Sequence, residues 1–325
     1  MRNIIVTGGA GYIGAHLVKL LAKQNDVLIH VIDNFSQSRK NILTRPNVQY
    51  HELDICDAAQ LTEKFLELKP DTVFHFAAIA NVPDSVADPA KYYRTNVVGS
   101  YNLLEAMRHS GCAKIIFSSS ASVYGEPKSE VIKETHPKNP TNPYGRTKLA
   151  MEEMLKEYFT AYQISSISFR YFCAAGADHE GELGEYHIPE THVIPSILET
   201  ILGRREMFYI FGTDYPTPDG TGIRDYIHVV DLAQAHICAL QVLDTIPVCT
   251  QYNLGINKGF SVRELIESTE KITGEKLNYT EKDRRAGDPS RLIADASRAM
   301  QELSWQPQYT EITDIIETAW KSLKK

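Results

Sequence analysis

A chain of 325 residues exceeds the usual ceiling for a single hydrophobic core, so it predicts two lobes with a cleft between them. With 43% hydrophobic and 23% charged residues, 15 Pro and 19 Gly, its composition is that of an ordinary globular protein and excludes long disordered or collagen-like tracts. The formal net charge of -7 excludes a basic footprint for nucleic acid or an anionic membrane, so any anionic ligand must be held by local groups.

The first residues pass straight into an apolar strand over 3–7, without the charged leader and apolar segment of a secretory signal. No run of about 18 apolar residues predicts a membrane span. Five scattered cysteines, Cys56, Cys112, Cys173, Cys238 and Cys249, fit neither a disulfide framework nor a zinc site, and a reducing cytoplasm is the expected compartment. After the first strand a glycine turn leads into an amphipathic helix over 12–23, with Leu17, Leu20 and Leu21 on one face. Strands over 27–32 and 48–53, a helix over 61–68 and a strand over 72–76 follow. Then come a helix over 91–108, a strand over 114–118, a helix over 144–161 and a strand over 165–171. Strands alternating with helices predict an α/β fold, a doubly wound parallel sheet covered on both faces. Beyond Gly176 the regularity loosens. Gly181, Gly184, Pro189 and Pro195 punctuate one stretch and glycines another over 212–222, while 231–243 and 261–273 still read as helices. A smaller, mixed α/β C-terminal lobe is expected there.

Gly8, Gly11 and Gly14 lie between a strand and a helix, where a tight turn, a close backbone approach to a pyrophosphate and helix packing each require a missing side chain. The helix N-terminus beyond them offers free N–H groups to phosphates, although such a turn also occurs for conformational reasons alone. Asp33, at the tip of the second strand about 20 residues on, is placed to accept ribose hydroxyls and to repel a 2′-phosphate, which favours NAD. The nearby Arg39 and Lys40 leave NADP open. Asp54, ending the third strand, reads either as a partner for the adenine amino group or as a helix cap.

The strings T-G-G-A-G-Y-I-G at 7–14, D-N at Asp33 and Asn34, D-I at Asp54 and Ile55, H-F-A-A at 75–78, and Asn96 together resemble the extended short-chain dehydrogenase/reductase family. The resemblance implies a Rossmann-type NAD-binding domain over 1–174 and a substrate-binding lobe over 175–325, with a segment around 221–249 packing back on the first domain. It implies that Tyr12 and Ile13 contact the pyrophosphate, and that Phe76, Ala77, Ala78 and Ala80 face the nicotinamide half. Asn34, Phe35, Ser36, Ile55, Asn96, Ser118, Tyr171 and Phe172 complete the implied cofactor set.

Tyr144 and Lys148, four apart on a predicted helix, project from one face, and a nearby ammonium favours the phenolate. The spacing also occurs as plain surface pairing. The S-S-S-A-S-V-Y string at 118–124 ends a strand, where ligands of such sheets bind. The family's catalytic hydroxyl, Tyr and Lys match Ser120, Tyr144 and Lys148. Relatives that dehydrate nucleotide sugars carry an Asp-Glu pair just after that hydroxyl, and this chain has Ala121 and Ser122.

Further on, R-Y-F-C-A-A-G-A at 170–177, G-T-D-Y-P-T-P-D-G-T-G-I-R-D-Y-I-H-V at 212–229, R-R-A-G-D-P-S at 284–290 and A-D-A-S at 294–297 resemble the UDP-glucose 4-epimerase branch of the family. That implies a 4-epimerase interconverting UDP-glucose and UDP-galactose through a 4-keto sugar. Alternatives are a 4-epimerase of UDP-N-acetylhexosamines, UDP-pentoses or UDP-uronates and, from another class, a non-catalytic NAD-sensing module. Arg224 and Arg285 have the planar forks expected for a diphosphate. The resemblance implies that Asp288 binds a ribose hydroxyl, that Tyr209 and Phe211 pack on uracil, and that Val193 lines the substrate. Ala80 replaces a Lys, Cys173 an Asn and His192 another Asn of that branch, and Leu292 stands where residue size tunes tolerance for 2-acetamido sugars. A homodimer through helices near 103–108 and 148–155 is implied as well.

Overall fold

The computed structural model describes residues 1–186, 190–285 and 288–324. Pro189, and Ala286 and Gly287 of the R-R-A-G-D-P-S string, lie outside the described residues. The chain groups into two compact units that interleave along the sequence. Met1–Gly125, His136–Tyr171 and Ala233–Tyr252 form the first, and Glu126–Thr135, Phe172–Leu232 and Asn253–Lys325 the second.

The first unit is built on a seven-stranded sheet. Its strands in chain order are β1 (Arg2–Thr7), β2 (Val27–Asp33), β3 (Val48–Glu52), β4 (Thr72–His75), β5 (Lys114–Ser120), β6 (Ser165–Tyr171) and β7 (Cys249–Leu254), and their order across the sheet is β7-β6-β5-β4-β1-β2-β3. Pairing is parallel from β3 through to β6. The sequence dictates this. Ile4, Ile5 and Val6 are consecutive and all fully buried, which requires cover on both faces of β1. One layer of that cover joins Leu61, Phe65, Leu103, Met107, Met151 and Leu155 to Ile5, Val73 and Ile115 in one core. The strand order reverses between β1 and β4, and ligands of doubly wound sheets bind outside the strand ends at such a point.

The expected helix over 91–108 is broken. Pro89–Tyr92 is α-helical, Tyr93–Val98 is a π-helical turn, and Gly99–Ser110 resumes the α-helix. Asn96 sits buried in the π turn. Its amide accepts from the Ile79 N–H at 2.9 Å and donates to the Ile79 carbonyl at 3.0 Å and the Thr147 hydroxyl at 3.1 Å. The extra residue per turn aims one polar side chain into the interior, a demand that periodicity does not reveal.

At the far edge, His30 on β2 faces His51 on β3 with Nδ1 and Nε2 3.1 Å apart, and the His30 Nε2 is buried without a hydrogen-bond partner. Burial, reinforced by the His51 charge, holds His30 down from its usual 6.5 to about 4. As pH falls through this window, the unfolded chain takes up a proton that the folded one refuses, so stability drops. His30→Leu is therefore expected to raise the melting temperature more at pH 5 than at pH 8. Equal shifts at both pH values would remove His30 from the acid sensitivity.

The second unit holds smaller sheets of mixed direction. Ile223–His228 is central: Gly259–Ser261 joins it antiparallel, and Arg291–Ala294 and Cys173–Ala175 parallel. Phe208–Phe211 and Tyr279–Lys282 form a separate parallel pair. The helix Val262–Thr273 starts at a full capping box, Ser261 with Glu264, and packs with Val193–Ile201 and Ile312–Leu323 around a second core. Asp225, fully buried, accepts backbone N–H groups of Ile256, Asn257 and Ala294 at 2.8, 3.1 and 3.2 Å, tying two loops to the central strand.

Candidate active site

The glycine turn has the shape a pyrophosphate needs. Gly8 has φ +68°, and a Cβ on it would stand 2.5 Å from the Ala77 nitrogen; one on Gly14 would stand 2.4 Å from the Gly8 carbonyl oxygen. The helix Tyr12–Leu21 begins at Gly11, and no side-chain cap closes its N-terminus, the end of a helix that favours an anion. Tyr12 and Ile13 open that helix half-buried. At the end of β2, Asp33 accepts from the Ala10 N–H at 3.1 Å and from the Phe35 N–H and Ser38 hydroxyl at 2.9 Å each. Three of its about four lone-pair positions therefore order the backbone that would enclose a ribose, and about one remains for a hydroxyl.

Of the two readings of Asp54, the helix cap is not what the structure shows. Its carboxylate accepts from the Cys56 N–H at 2.8 Å and the Asn34 amide at 3.0 Å, and those bonds hold it below the usual carboxylate range against partial desolvation, while the residue stays exposed. Asp57, not Asp54, caps the helix Ala58–Leu68. Lys40, one of the two cations that kept NADP open, is paired with Glu52. Ile55 is buried in the core, where its side chain would meet a Cβ on Gly99 at 2.7 Å, so only its backbone faces outward chemistry. Phe76, Ala77 and Ala78 are half-buried and Ala80 is exposed.

The catalytic candidates converge within the first unit. The helix Pro143–Tyr162 starts where Asn142 accepts the Gly145 N–H at 2.9 Å with Pro143 at the first helical position, which puts Tyr144 in the first turn and Lys148 one turn on. Ser120 ends β5 and caps the short turn Ala121–Val123 by accepting from the Ser122 N–H at 3.1 Å. Its hydroxyl also hydrogen-bonds the Tyr144 phenol. Lys148 donates to the Ser118 carbonyl at 2.7 Å and lies 5.8 Å from the Tyr144 ring centroid. Burial pushes the phenol up and the lysine down to about 7, and Ser120 is what pulls the phenol back. One of the three ammonium donors of Lys148 is thus taken by a backbone carbonyl of β5, and two remain.

Gly145 went unnoticed in the sequence although it adjoins Tyr144. A Cβ there would stand 2.5 Å from the Ser122 carbonyl oxygen, so only glycine lets the helix start touch the Ser120 turn. His75 was equally silent. Fully buried, it bridges the Thr7 hydroxyl at 2.7 Å and the Ser100 hydroxyl at 2.8 Å, and burial holds it neutral at about 3. His236 bonds the Tyr171 phenol at 2.6 Å among Phe74, Phe76 and Phe169, while Ser118 also bonds Tyr171. Their signal was a polar residue inside an apolar run, which spacing arguments pass over.

The second unit gathers the substrate candidates into three groups. Arg224 pairs with the Asp288 carboxylate, donates to the Ile223 carbonyl at 2.8 Å, and is register partner of Leu292; Cys173 pairs with Tyr226 two residues along the same strand. Burial pushes the Cys173 thiol up to about 11, so it stays protonated. Arg285 caps the Phe211 ring at 3.9 Å, and Tyr209 lies 6.4 Å from Phe211 with Lys282 over its other partner face at 3.5 Å. His192 belongs elsewhere: its Nδ1 meets the carboxylates of Glu185 and Glu190 at 2.8 and 2.9 Å, which raise it to about 10 against desolvation although the ring is half exposed, and Val193 begins the helix it precedes. Phe172 is buried, its N–H donating to the Leu254 carbonyl at 3.1 Å.

A family model described as GDP-mannose 4,6 dehydratase matches residues 5–318. A UDP-glucose 4-epimerase of Lacticaseibacillus casei is 48% identical over 319 residues, covering 98% of this chain and 96% of the relative. This chain belongs to the UDP-glucose 4-epimerase family. A crystal structure of UDP-glucose 4-epimerase from Brucella ovis in complex with NAD superposes with a TM-score of 0.95 at 45% identity, covering 98% of each chain. That from Bifidobacterium longum with NAD+ and UDP gives 0.92 at 38% identity, covering 99% of this chain and 98% of the other. The α/β doubly wound reading of the sequence is borne out, with its smaller mixed lobe. The family model carries a dehydratase's description, yet this epimerase-family chain has a buried Ala121 and a Ser122 after Ser120, and so no Asp-Glu pair following that candidate hydroxyl.

Proposed function

We propose that this chain interconverts UDP-glucose and UDP-galactose by NAD-dependent 4-epimerisation. The observation that carries the reading is a half-buried phenol hydrogen-bonded to Ser120 and one helical turn from Lys148, at a strand end where no carboxylate follows that hydroxyl in the next two positions. Tyr144 as phenolate accepts the proton of the sugar 4-OH and later returns it, and Ser120 orients that hydroxyl. NAD, when bound, takes up and returns the hydride of C4 and adds the positive charge of its nicotinamide. Gly8, Gly11, Gly14, Asp33 and Lys148 would hold it, and the narrow glycine cradle supports that fit. Arg224, Arg285 and Asp288 would grip the UDP, so that contacts remote from C4 retain the 4-keto sugar while it turns over.

Purified chain supplied with either UDP-hexose is expected to produce the other, and a panel with UDP-N-acetylhexosamines, UDP-pentoses and UDP-uronates reads the tolerance at Leu292 and Cys173. No turnover of any UDP-sugar, with NADH still bound reversibly, would replace this proposal by the NAD-sensing module.

The proposal extends to a cytoplasmic homodimer. Among the described residues no helix is long and apolar enough to cross a membrane, and all five cysteines are free thiols. Leu103, Leu104, Met107, Met151 and Leu155 are fully buried in the first unit's own core. A seam along these helices is thus left to Tyr101 and Tyr162, 48% and 51% exposed, beside Glu105, Arg108 and Tyr158. Sedimentation is expected to give twice the chain mass, and Tyr101→Glu to shift it towards one; a wild-type monomer at micromolar concentration would end this part of the reading.

A further inference from the structure

Two charged side chains of the first unit are buried with no part in the proposed chemistry. Glu152 and Arg170 are 0% and 1% exposed. The guanidinium grips the carboxylate in bidentate fashion, Nε to Oε1 at 2.9 Å and Nη2 to Oε2 at 2.6 Å. Its Nη1 donates to the Tyr124 hydroxyl at 2.8 Å, and the Ser119 hydroxyl donates to Glu152 Oε1 at 2.6 Å. Each of these four residues sits beside a candidate catalytic group. Ser119 lies between Ser118 and Ser120 on β5, and Arg170 is its register partner on β6. Tyr124 closes the turn that Ser120 caps. Glu152 follows Lys148 by one helical turn and Tyr144 by two, on the same helix face.

Taking two opposite charges out of water is costly, and apolar residues of similar volume commonly fill such a space with equal or better stability. What a bidentate ion pair adds over an apolar contact is direction, because planar groups hydrogen-bond in one arrangement only. We propose that Glu152 and Arg170 are positioning residues that lock the helix carrying Tyr144 and Lys148 in register with the strand end carrying Ser118 and Ser120. Neither touches the reacting atoms. The pair fixes the distance across the Tyr144–Ser120 hydrogen bond, so it acts on turnover rather than on binding. This inference rests on the reading of Tyr144 as the acid/base.

The test is the full chain with Glu152→Leu and Arg170→Met together, which removes both charges and keeps the volume, beside Ser119→Ala, Ser119→Thr and Tyr144→Phe. The double variant is expected to retain bound NAD and the wild-type KM for UDP-glucose within about twofold. Its kcat should fall by about a hundredfold, with the rising, acid-side limb of the pH-rate profile moved to higher pH as the Ser120 bond to the phenol loosens. Ser119→Ala is expected to lose severalfold in kcat with KM unchanged, and Ser119→Thr to restore it. A folded double variant with wild-type kcat and pH profile overturns the proposal. If the double variant does not fold, Ser119→Ala with wild-type kcat overturns it instead. An active Tyr144→Phe defeats the parent reading, whatever the ion-pair variants do.

Discussion

Tyr144→Phe is expected to lower the interconversion of UDP-glucose and UDP-galactose by about a thousandfold while the protein keeps its fold and its NAD, a loss of the size general acid/base groups contribute. The argument is electrostatic. Burial drives the phenol towards its protonated form and the Ser120 hydroxyl acts against it, while Lys148 donates to the Ser118 carbonyl and keeps two further donors. The ring of Tyr144 is held by the helix start, where Gly145 meets the Ser122 backbone, so phenylalanine fits with only the oxygen missing. Initial rates with both UDP-hexoses, with NAD released by denaturation as the control, decide the matter. A variant within tenfold of wild type would remove Tyr144 from the chemistry.

Gly14→Ala is expected to cost about 3 kcal/mol of stability and to leave the purified protein without NAD, because overpacking must move backbone. The added methyl would lie 2.4 Å from the Gly8 carbonyl oxygen and 2.9 Å from the Gly9 Cα, neither of which belongs to a flexible side chain. The helix Tyr12–Leu21 must then tilt off β1, and its N-terminal N–H groups leave the position where a pyrophosphate would meet them. Gly111→Ala is the contrast. Unlike Gly14, Gly111 sits in the left-handed region, φ +77°, but nothing lies within 4 Å of the new methyl, so about 1 kcal/mol is expected with NAD content unchanged. Chemical denaturation and absorbance of the released dinucleotide separate the two variants. Wild-type NAD content in Gly14→Ala would contradict the assignment of this turn to the pyrophosphate.

Much of the architecture was legible because it rests on local, periodic properties. Consecutive apolar residues such as Ile4, Ile5 and Val6 specify a strand covered on both faces, and Tyr144 with Lys148 specify one helix face whatever surrounds them. The segments Glu126–Thr135 and Ala233–Tyr252 cross between units, which no composition shift announces, because grouping depends on partners distant in sequence. The helices near 103–108 and 148–155 show the same limit: one amphipathic pattern serves a core and a seam alike, and burial assigns Leu103, Met151 and Leu155 to the core.

By itself, the sequence determined the parallel α/β sheet, the glycine turn with Asp33 at the next strand tip, and the common helix face of Tyr144 and Lys148, since each follows from backbone stereochemistry or side-chain spacing along a few residues; that Ser120 joins them was implied by the family resemblance. Tertiary structure alone decided that Lys148 donates to the Ser118 carbonyl, that Arg224 pairs with Asp288, that His192 joins Glu185 and Glu190, and that Glu152 and Arg170 are a buried pair. Charges and hydrogen bonds act through distance in space and through burial. Both are set only when strands and helices far apart in the chain have packed.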